Sequence, residues 1–102
     1  MRRAKKTIAP IHPGETLRED FLAPLGMSAN RLAMELHVPV TRISEILRCH
    51  RAITADTALR LARFFGTTPQ FWVNLQANYE LELAADALGG EIEERVRPYR
   101  AA

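Results

Sequence analysis

Apolar residues recur at intervals of three and four along most of this 102-residue chain, which is the spacing of amphipathic helices. No segment alternates apolar and polar residues over a length that would predict a strand. The pattern therefore predicts an all-α fold with five helices. The predicted helices run from Glu15 to Leu22, twice within the segment from Ser28 to Cys49, from Ala55 to Phe65, and from Pro69 to about Leu88.

Local signals place the ends of these helices. Pro24 is predicted to stop the first helix. Thr54 and Thr68 are candidate N-caps, and Gly66 lies where a left-handed C-terminal cap is expected. The pair Gly89-Gly90 is predicted to end the fifth helix.

The segment from Ser28 to Cys49 predicts two short helices joined by a tight turn, which is the pattern of a helix-turn-helix. Ser28 is a candidate N-cap for the first helix, and Pro39 fits the first turn of the second. The predicted buried stripes are Leu32, Ala33 and Leu36 on the first helix and Ile43, Ile46 and Leu47 on the second.

The second helix of this motif has polar and apolar residues on the side opposite its predicted buried stripe. A short exposed helix that carries hydroxyl, guanidinium and apolar groups suits the major groove of double-stranded DNA. The residues on or near this side are Val40, Thr41, Arg42, Glu45 and Arg48.

The predicted fifth helix has more apolar surface than one helix face needs. A four-helix core can cover only one stripe, formed by Phe71, Leu75 and Tyr79. We therefore predict that the second stripe pairs with another copy of the chain in a homodimer, the alternative being burial against the N-terminal segment. The predicted dimer interface consists of Val73, Ala77, Leu81, Ala84 and Leu88.

Charge is distributed unevenly, although the formal net charge is only +2. Residues 1–63 carry 11 lysines and arginines against six acidic residues, whereas residues 64–102 carry three against six. A basic surface around the helix-turn-helix is typical of a phosphate-binding face, although basic residues also solvate ordinary surface helices. The acidic last third is a candidate surface for a basic partner.

The length predicts one small domain at 11–90, preceded by a basic flexible arm at 1–10 and followed by a charged tail or frayed helix at 91–102. A single cysteine, Cys49, excludes an intramolecular disulfide, and the first residues lack the apolar core of a signal peptide. We therefore expect a cytoplasmic protein. No run approaches the roughly 20 apolar residues of a membrane span.

Chemistry-bearing residues are sparse. Cys49 and the scattered histidines lack paired ligand spacing, so we predict no metal and no cofactor. No nucleophile, base and orienting group fall together, which indicates a protein that is not an enzyme. Trp72 is either a core residue or an anchor for a protein partner, and the pattern favours the core.

Several separate motifs, in order, resemble the HigA family of antitoxins, sometimes labelled virulence-associated protein I. The resemblance covers about residues 8–88. The motifs are IHPGE at 11–15, LRE at 17–19, RISEI at 42–46, RAITADTALRLA at 51–62 and PQFWVNLQ at 69–76.

This resemblance implies a Cro/repressor-like (lambda-repressor-like) five-helix domain, with the helix-turn-helix at helices 2 and 3. It implies a dimer that binds palindromic operator DNA in its own promoter and neutralises a HigB-like toxin that cleaves messenger RNA. The family's base-reading positions correspond to Val40, Thr41 and Glu45, with Arg42 and Arg48 close to phosphates or bases. The further predicted DNA-binding residues are Arg31 and Arg51.

Three positions depart from the usual motif. His37 and Cys49 stand where glycine is common, and a left-handed conformation costs a non-glycine residue roughly 1 kcal/mol. Ala29 stands where a glutamine often contacts phosphate. Two other functions stay open at this point: a solitary transcriptional regulator without a toxin, and a toxin-binding module whose DNA binding is degenerate.

Overall fold

The computed structural model describes residues 9–100, so the predicted arm at 1–10 lies almost entirely outside the described residues. Within that range the chain forms five helical segments and no strand, which confirms the all-α prediction. We number them α1 (residues 13–25), α2 (Ala29–Leu36), α3 (Val40–Leu47), α4 (Ala55–Phe65) and α5 (Pro69–Arg95).

Helix α1 is longer than predicted and changes its winding along its length. It consists of Pro13–Thr16, a π-helical segment Leu17–Leu22, and Ala23–Leu25. The predicted stop at Pro24 was wrong. The N–H of Ala23 donates to the carbonyl of Arg18, five residues back, and Pro24 then stands in the first turn of the segment Ala23–Leu25, where a proline is tolerated. Gly26 ends the helix at φ 60°.

The predicted caps of the other helices are confirmed. Ser28, Thr54 and Thr68 accept hydrogen bonds from the backbone N–H groups three residues onward, at the starts of α2, α4 and α5. Gly66 ends α4 in the left-handed conformation, at φ 77°. These local bonds occupy backbone donors and acceptors that the helix itself leaves without partners.

Trp72 is at the centre of the core and is fully buried. Its indole N–H donates to the hydroxyl of Thr67 at 2.8 Å, and its ring centroid lies 4.8 Å from that of Phe21. This agrees with the prediction that Trp72 is a core residue. The buried apolar residues come from all five helices and the loop before α4: Leu17, Leu22, Leu32, Ala33, Leu36, Ile43, Ile46, Ile53, Ala58, Leu61, Ala62 and Trp72.

Helix α5 does not end at Gly89-Gly90, as the sequence had predicted, but continues to Arg95. Each glycine lowers helix stability by about 1 kcal/mol relative to alanine but leaves the hydrogen-bond ladder intact, and the flanking residues are good helix formers. The predicted charged tail therefore begins inside a helix. No helix within residues 9–100 is long and apolar enough to cross a membrane.

The imidazole of His12 caps α1, a role that the sequence analysis did not assign. Its Nδ1 accepts a hydrogen bond from the N–H of Gly14 at 2.8 Å, and its ring centroid lies 4.8 Å from that of Tyr79 on α5, with the two ring planes at 69°. Burial lowers the pKa of His12 from its ordinary 6.5. Because the folded state disfavours the charged imidazole, its stabilising contribution is complete above about pH 6.5 and is lost as the pH falls through the lowered pKa.

We therefore expect the melting temperature to fall between about pH 7.5 and pH 5.5. In the variant His12→Asn, which keeps a capping acceptor but does not titrate here, the fall should be smaller. Thermal unfolding followed by circular dichroism at both pH values measures this difference. An equal fall in the wild type and the variant would contradict the assignment to His12.

Candidate nucleic-acid interface

Helices α2 and α3 form the predicted helix-turn-helix. The predicted stripe of α2 is buried, and Ile43 and Ile46 of α3 are fully buried, with Leu47 half-buried at the edge of the core. This packing turns the opposite side of α3 to solvent. The two helices therefore have the arrangement that the sequence predicted.

The turn between them keeps the standard left-handed residue although no glycine is present. His37 has φ 59° and ψ 48°. The N–H of Val38 donates to the carbonyl of Ala33 at 3.1 Å, and the N–H of His37 donates to that of Met34 at 3.3 Å, which is a Schellman cap. The strain of roughly 1 kcal/mol is thus accepted without a change in the turn.

Cys49 also takes the left-handed conformation, at the end of α3, with φ 64°. Its N–H donates to the carbonyl of Ile46 at 2.9 Å, and that of His50 donates to Glu45 at 2.8 Å. Both departures from the usual motif therefore leave its backbone geometry intact. Histidine and cysteine take the conformation that glycine takes elsewhere.

The start of α1 fixes the last turn of α3, which the sequence analysis missed. A Cβ atom added at Gly14 would lie 1.8 Å from the carbonyl oxygen of Ile46, so only glycine fits there. The guanidinium of Arg18 donates to the carbonyl of Leu47 at 2.6 Å, and the hydrogen bond to Glu19 raises its pKa. No signal in the sequence indicated this contact, because Gly14 lies just before the predicted start of the first helix at Glu15.

The predicted residues on the outer side of α3 are exposed to different extents. Val40, Thr41 and Arg48 are exposed, whereas Arg42 and Glu45 are half-buried. Arg48 makes no ion pair with any part of the chain that the structure describes. The exposed group offers a hydroxyl, a methyl-bearing side chain and a free guanidinium on one short helix, which is the chemistry of base-edge and phosphate contact.

The other predicted arginines are held by acidic residues. On α3 and the following loop, Arg42 contacts Asp56 at 2.9 Å, and Arg51 contacts Glu45 at 3.2 Å. On α2, Arg31 contacts Glu35, one helical turn away, at 2.7 Å. These exposed pairs are weak contributors to stability, but they decide where each guanidinium lies before a ligand arrives.

The predicted dimer stripe lies on α5 and remains open to solvent. Val73, Leu81 and Leu88 are 41%, 68% and 47% exposed, and Ala77 and Ala84 are exposed as well. The stripe stays a predicted dimer interface, and it is separate from the outer side of α3.

The described residues include no group of histidine, cysteine and acidic side chains arranged to hold a metal ion.

Comparison with known proteins gives consistent matches. The helix-turn-helix family model matches residues 17–72. Virulence-associated protein I of Dichelobacter nodosus is 55% identical over 80 residues, which are 78% of this chain and 74% of that protein.

Two solved structures have the same arrangement of helices. An addiction module antidote protein of the HigA family from Coxiella burnetii has a TM-score of 0.86 at 53% identity, covering 90% of this chain and all of that one. Pseudomonas aeruginosa antitoxin HigA, solved with the higBA promoter, has a TM-score of 0.86 at 45% identity, covering 89% of this chain and 99% of that one.

Proposed function

Because this chain belongs to the HigA family of helix-turn-helix antitoxins, we propose that it is a dimeric, DNA-binding autorepressor that also neutralises a toxin. The observation that carries the proposal is that α3 exposes Val40, Thr41 and Arg48 on its outer side while Ile43 and Ile46 on its inner side are fully buried. A relative with 45% identity was solved with promoter DNA. The target of α3 is then the major groove of operator DNA.

Each exposed group on α3 has a chemical partner in that groove. Thr41 bonds base edges and touches a thymine methyl group, and Val40 contacts the same kind of methyl. Arg48 pairs with a phosphate or with guanine. Glu45, released from Arg51, accepts from the amino group of cytosine.

The test is a binding titration with DNA from upstream of the protein's own gene. A random-sequence duplex of equal length is the comparison, and both are titrated across salt concentrations. We expect a preference for the upstream duplex and an affinity that falls steeply as salt rises, because phosphate contacts release counterions. Equal affinity for the two duplexes at moderate salt would reject the proposal.

Dimerisation through α5 would place two copies of α3 about 34 Å apart, one turn of DNA. The apolar stripe around Leu81 and Leu88 supports this arrangement. In a monomer these large apolar side chains would be in contact with water, and a second copy of the chain would bury them.

We expect the double variant Leu81→Glu, Leu88→Glu to sediment as a monomer and to lose most of its affinity for a duplex that contains both half-sites. Analytical ultracentrifugation and the same titration measure this. The matched control is the double variant Leu25→Glu, Leu59→Glu, which adds the same two charges at exposed apolar positions on α1 and α4. A double variant that still sediments as a dimer would exclude the α5 stripe.

The second half of the proposal concerns a HigB-like toxin encoded beside this gene. We propose that the protein acts on it by binding rather than by catalysis, and in the cytoplasm, where promoter and toxin are both found. The test is co-expression with the product of the neighbouring gene. We expect rescue of growth, and a failure of rescue with normal DNA binding would leave a solitary regulator.

A further inference from the structure

Three side chains join α3, α4 and the turn of the helix-turn-helix in one network. The carboxylate of Asp56 accepts from Arg42 of α3 at 2.9 Å and from Arg60 of α4 at 2.7 Å, both at Oδ1. Arg60 in turn donates to the carbonyl of Leu36 at 2.9 Å. The turn therefore fixes Arg60, Arg60 fixes Asp56, and Asp56 holds Arg42.

The consequence for Arg42 is a restricted position. Its side chain is 28% exposed and faces α4, although it stands in the first turn of α3 beside the exposed Thr41. Hydrogen bonds from Arg60 and then Arg42 lower the pKa of Asp56, so its carboxylate is charged at neutral pH and the pair stays intact. Arg48, at the other end of α3, has no such restraint.

We propose that Asp56 is a positioning residue that restrains Arg42 and thereby sets the balance between specific and non-specific DNA binding. The proposal rests on the DNA-binding function argued above. It adds a role for a residue that lies on α4 rather than on the outer side of α3, and that was not among the predicted DNA-binding residues.

The reason is the difference between what two kinds of DNA offer to Arg42. A random duplex rarely has a base-edge acceptor at the place that Arg42 reaches, so its usual partner there is a phosphate, and reaching one requires Arg42 to leave Asp56. An operator offers a base-edge acceptor as well, whose hydrogen bonds compensate for the lost ion pair. The restraint therefore weakens binding to random DNA more than binding to the operator.

The experiment compares the wild type with Asp56→Asn, Arg42→Ala and the double variant on a random-sequence duplex across salt concentrations. With Asp56→Asn we expect tighter binding and a slope of log affinity against log salt that is steeper by about 0.9, which is one added phosphate contact. Between about 50 and 200 mM salt the advantage over the wild type then shrinks about threefold. Asparagine keeps an oxygen that can accept a hydrogen bond, but it has no charge, so the ion pair that restrains Arg42 is lost. Arg60 is still held by its bond to the carbonyl of Leu36.

The Arg42→Ala background separates restraint from simple repulsion. If Asp56 acts through Arg42, Asp56→Asn has no effect on the slope in that background. The same steepening there would show that Asp56 only repels phosphate, and would overturn the proposal. An unchanged slope in the wild-type background would overturn it as well.

Glu93→Gln is the control for net charge. Glu93 is exposed near the end of α5, in the part that follows the two glycines, and its loss changes the charge of the chain by the same amount. We expect the wild-type slope. Thermal unfolding of each variant checks that it is folded at the temperature of the titration.

The upstream duplex supplies the last readout. In Asp56→Asn its affinity should rise less than that of the random duplex, so that the ratio of the two affinities falls several-fold. A ratio that stays constant or rises would overturn the proposal. If the wild type itself shows no preference between the duplexes, the proposed operator binding fails, while the slopes on random DNA still decide whether Asp56 restrains Arg42.

Discussion

Gly14→Ala is expected to destabilise the protein by at least about 3 kcal/mol, which is a large share of the roughly 5–15 kcal/mol that stabilises a small domain. The added methyl group would lie 1.8 Å from the carbonyl oxygen of Ile46 and 2.8 Å from its carbon. Both are backbone atoms of α3, which cannot move aside as a flexible side chain does. Denaturant unfolding followed by circular dichroism measures the loss.

The chain contains its own control for this substitution. Gly90 also lies within a helix, but a Cβ atom there has no neighbour within 4 Å. Gly90→Ala should therefore stabilise the protein by up to about 1 kcal/mol through helix propensity. A Gly14→Ala variant as stable as the wild type would show that α1 and α3 approach each other less closely than described.

The double variant Arg42→Ala, Arg48→Ala is expected to lose about a hundredfold or more in affinity for the upstream duplex, since each arginine supplies a phosphate or a base contact worth about 1–3 kcal/mol. The two residues stand near opposite ends of the outer side of α3. Their removal should also reduce the slope against salt. Neutralisation of the toxin should be unchanged, because it is proposed to use another surface.

Arg97→Ala, Arg100→Ala is the matched control, because it removes the same charge from exposed positions beyond the end of α5. It should keep the affinity of the wild type within about threefold, the change expected for long-range charge alone. Equal losses in both double variants would mean that net charge, rather than the surface of α3, carries the binding.

The features that the sequence predicted correctly depend on short stretches of chain. The N-caps at Ser28, Thr54 and Thr68, and the buried stripes of α2 and α3, follow from residue types at spacings of three and four. Helical periodicity indicates which side of α3 is buried, so it also indicates which side is free. The main prediction about the candidate interface therefore required only the local pattern of apolar and polar residues.

The features that it missed depend on distant residues or on small differences in free energy. The approach of Gly14 to Ile46 joins positions 32 residues apart, and no periodicity reports such a contact. The end of α5 was predicted wrongly because two glycines weaken a helix without breaking its hydrogen bonds. The π turn in α1 is a third example, because the helical segment that follows it has Pro24 in its first turn, where a proline does not end a helix.

The pairing of the arginines could not be predicted for a related reason. Arg42 and Asp56 are 14 residues apart on different helices, and their meeting depends on the angle between α3 and α4. The sequence identified Arg42 as a candidate contact, but it gave no sign that the side chain lies against α4.

Helix α3 is firmly held in the domain, because α1 contacts the carbonyls of its last turn and its Ile43 and Ile46 are fully buried. A helix so fixed enters the groove as a rigid body, so the fit must come from bending and twisting of the duplex. Base pairs that no side chain touches will then affect affinity through their stiffness. Flexible steps such as TA between the half-sites should be favoured where the groove has to change its width.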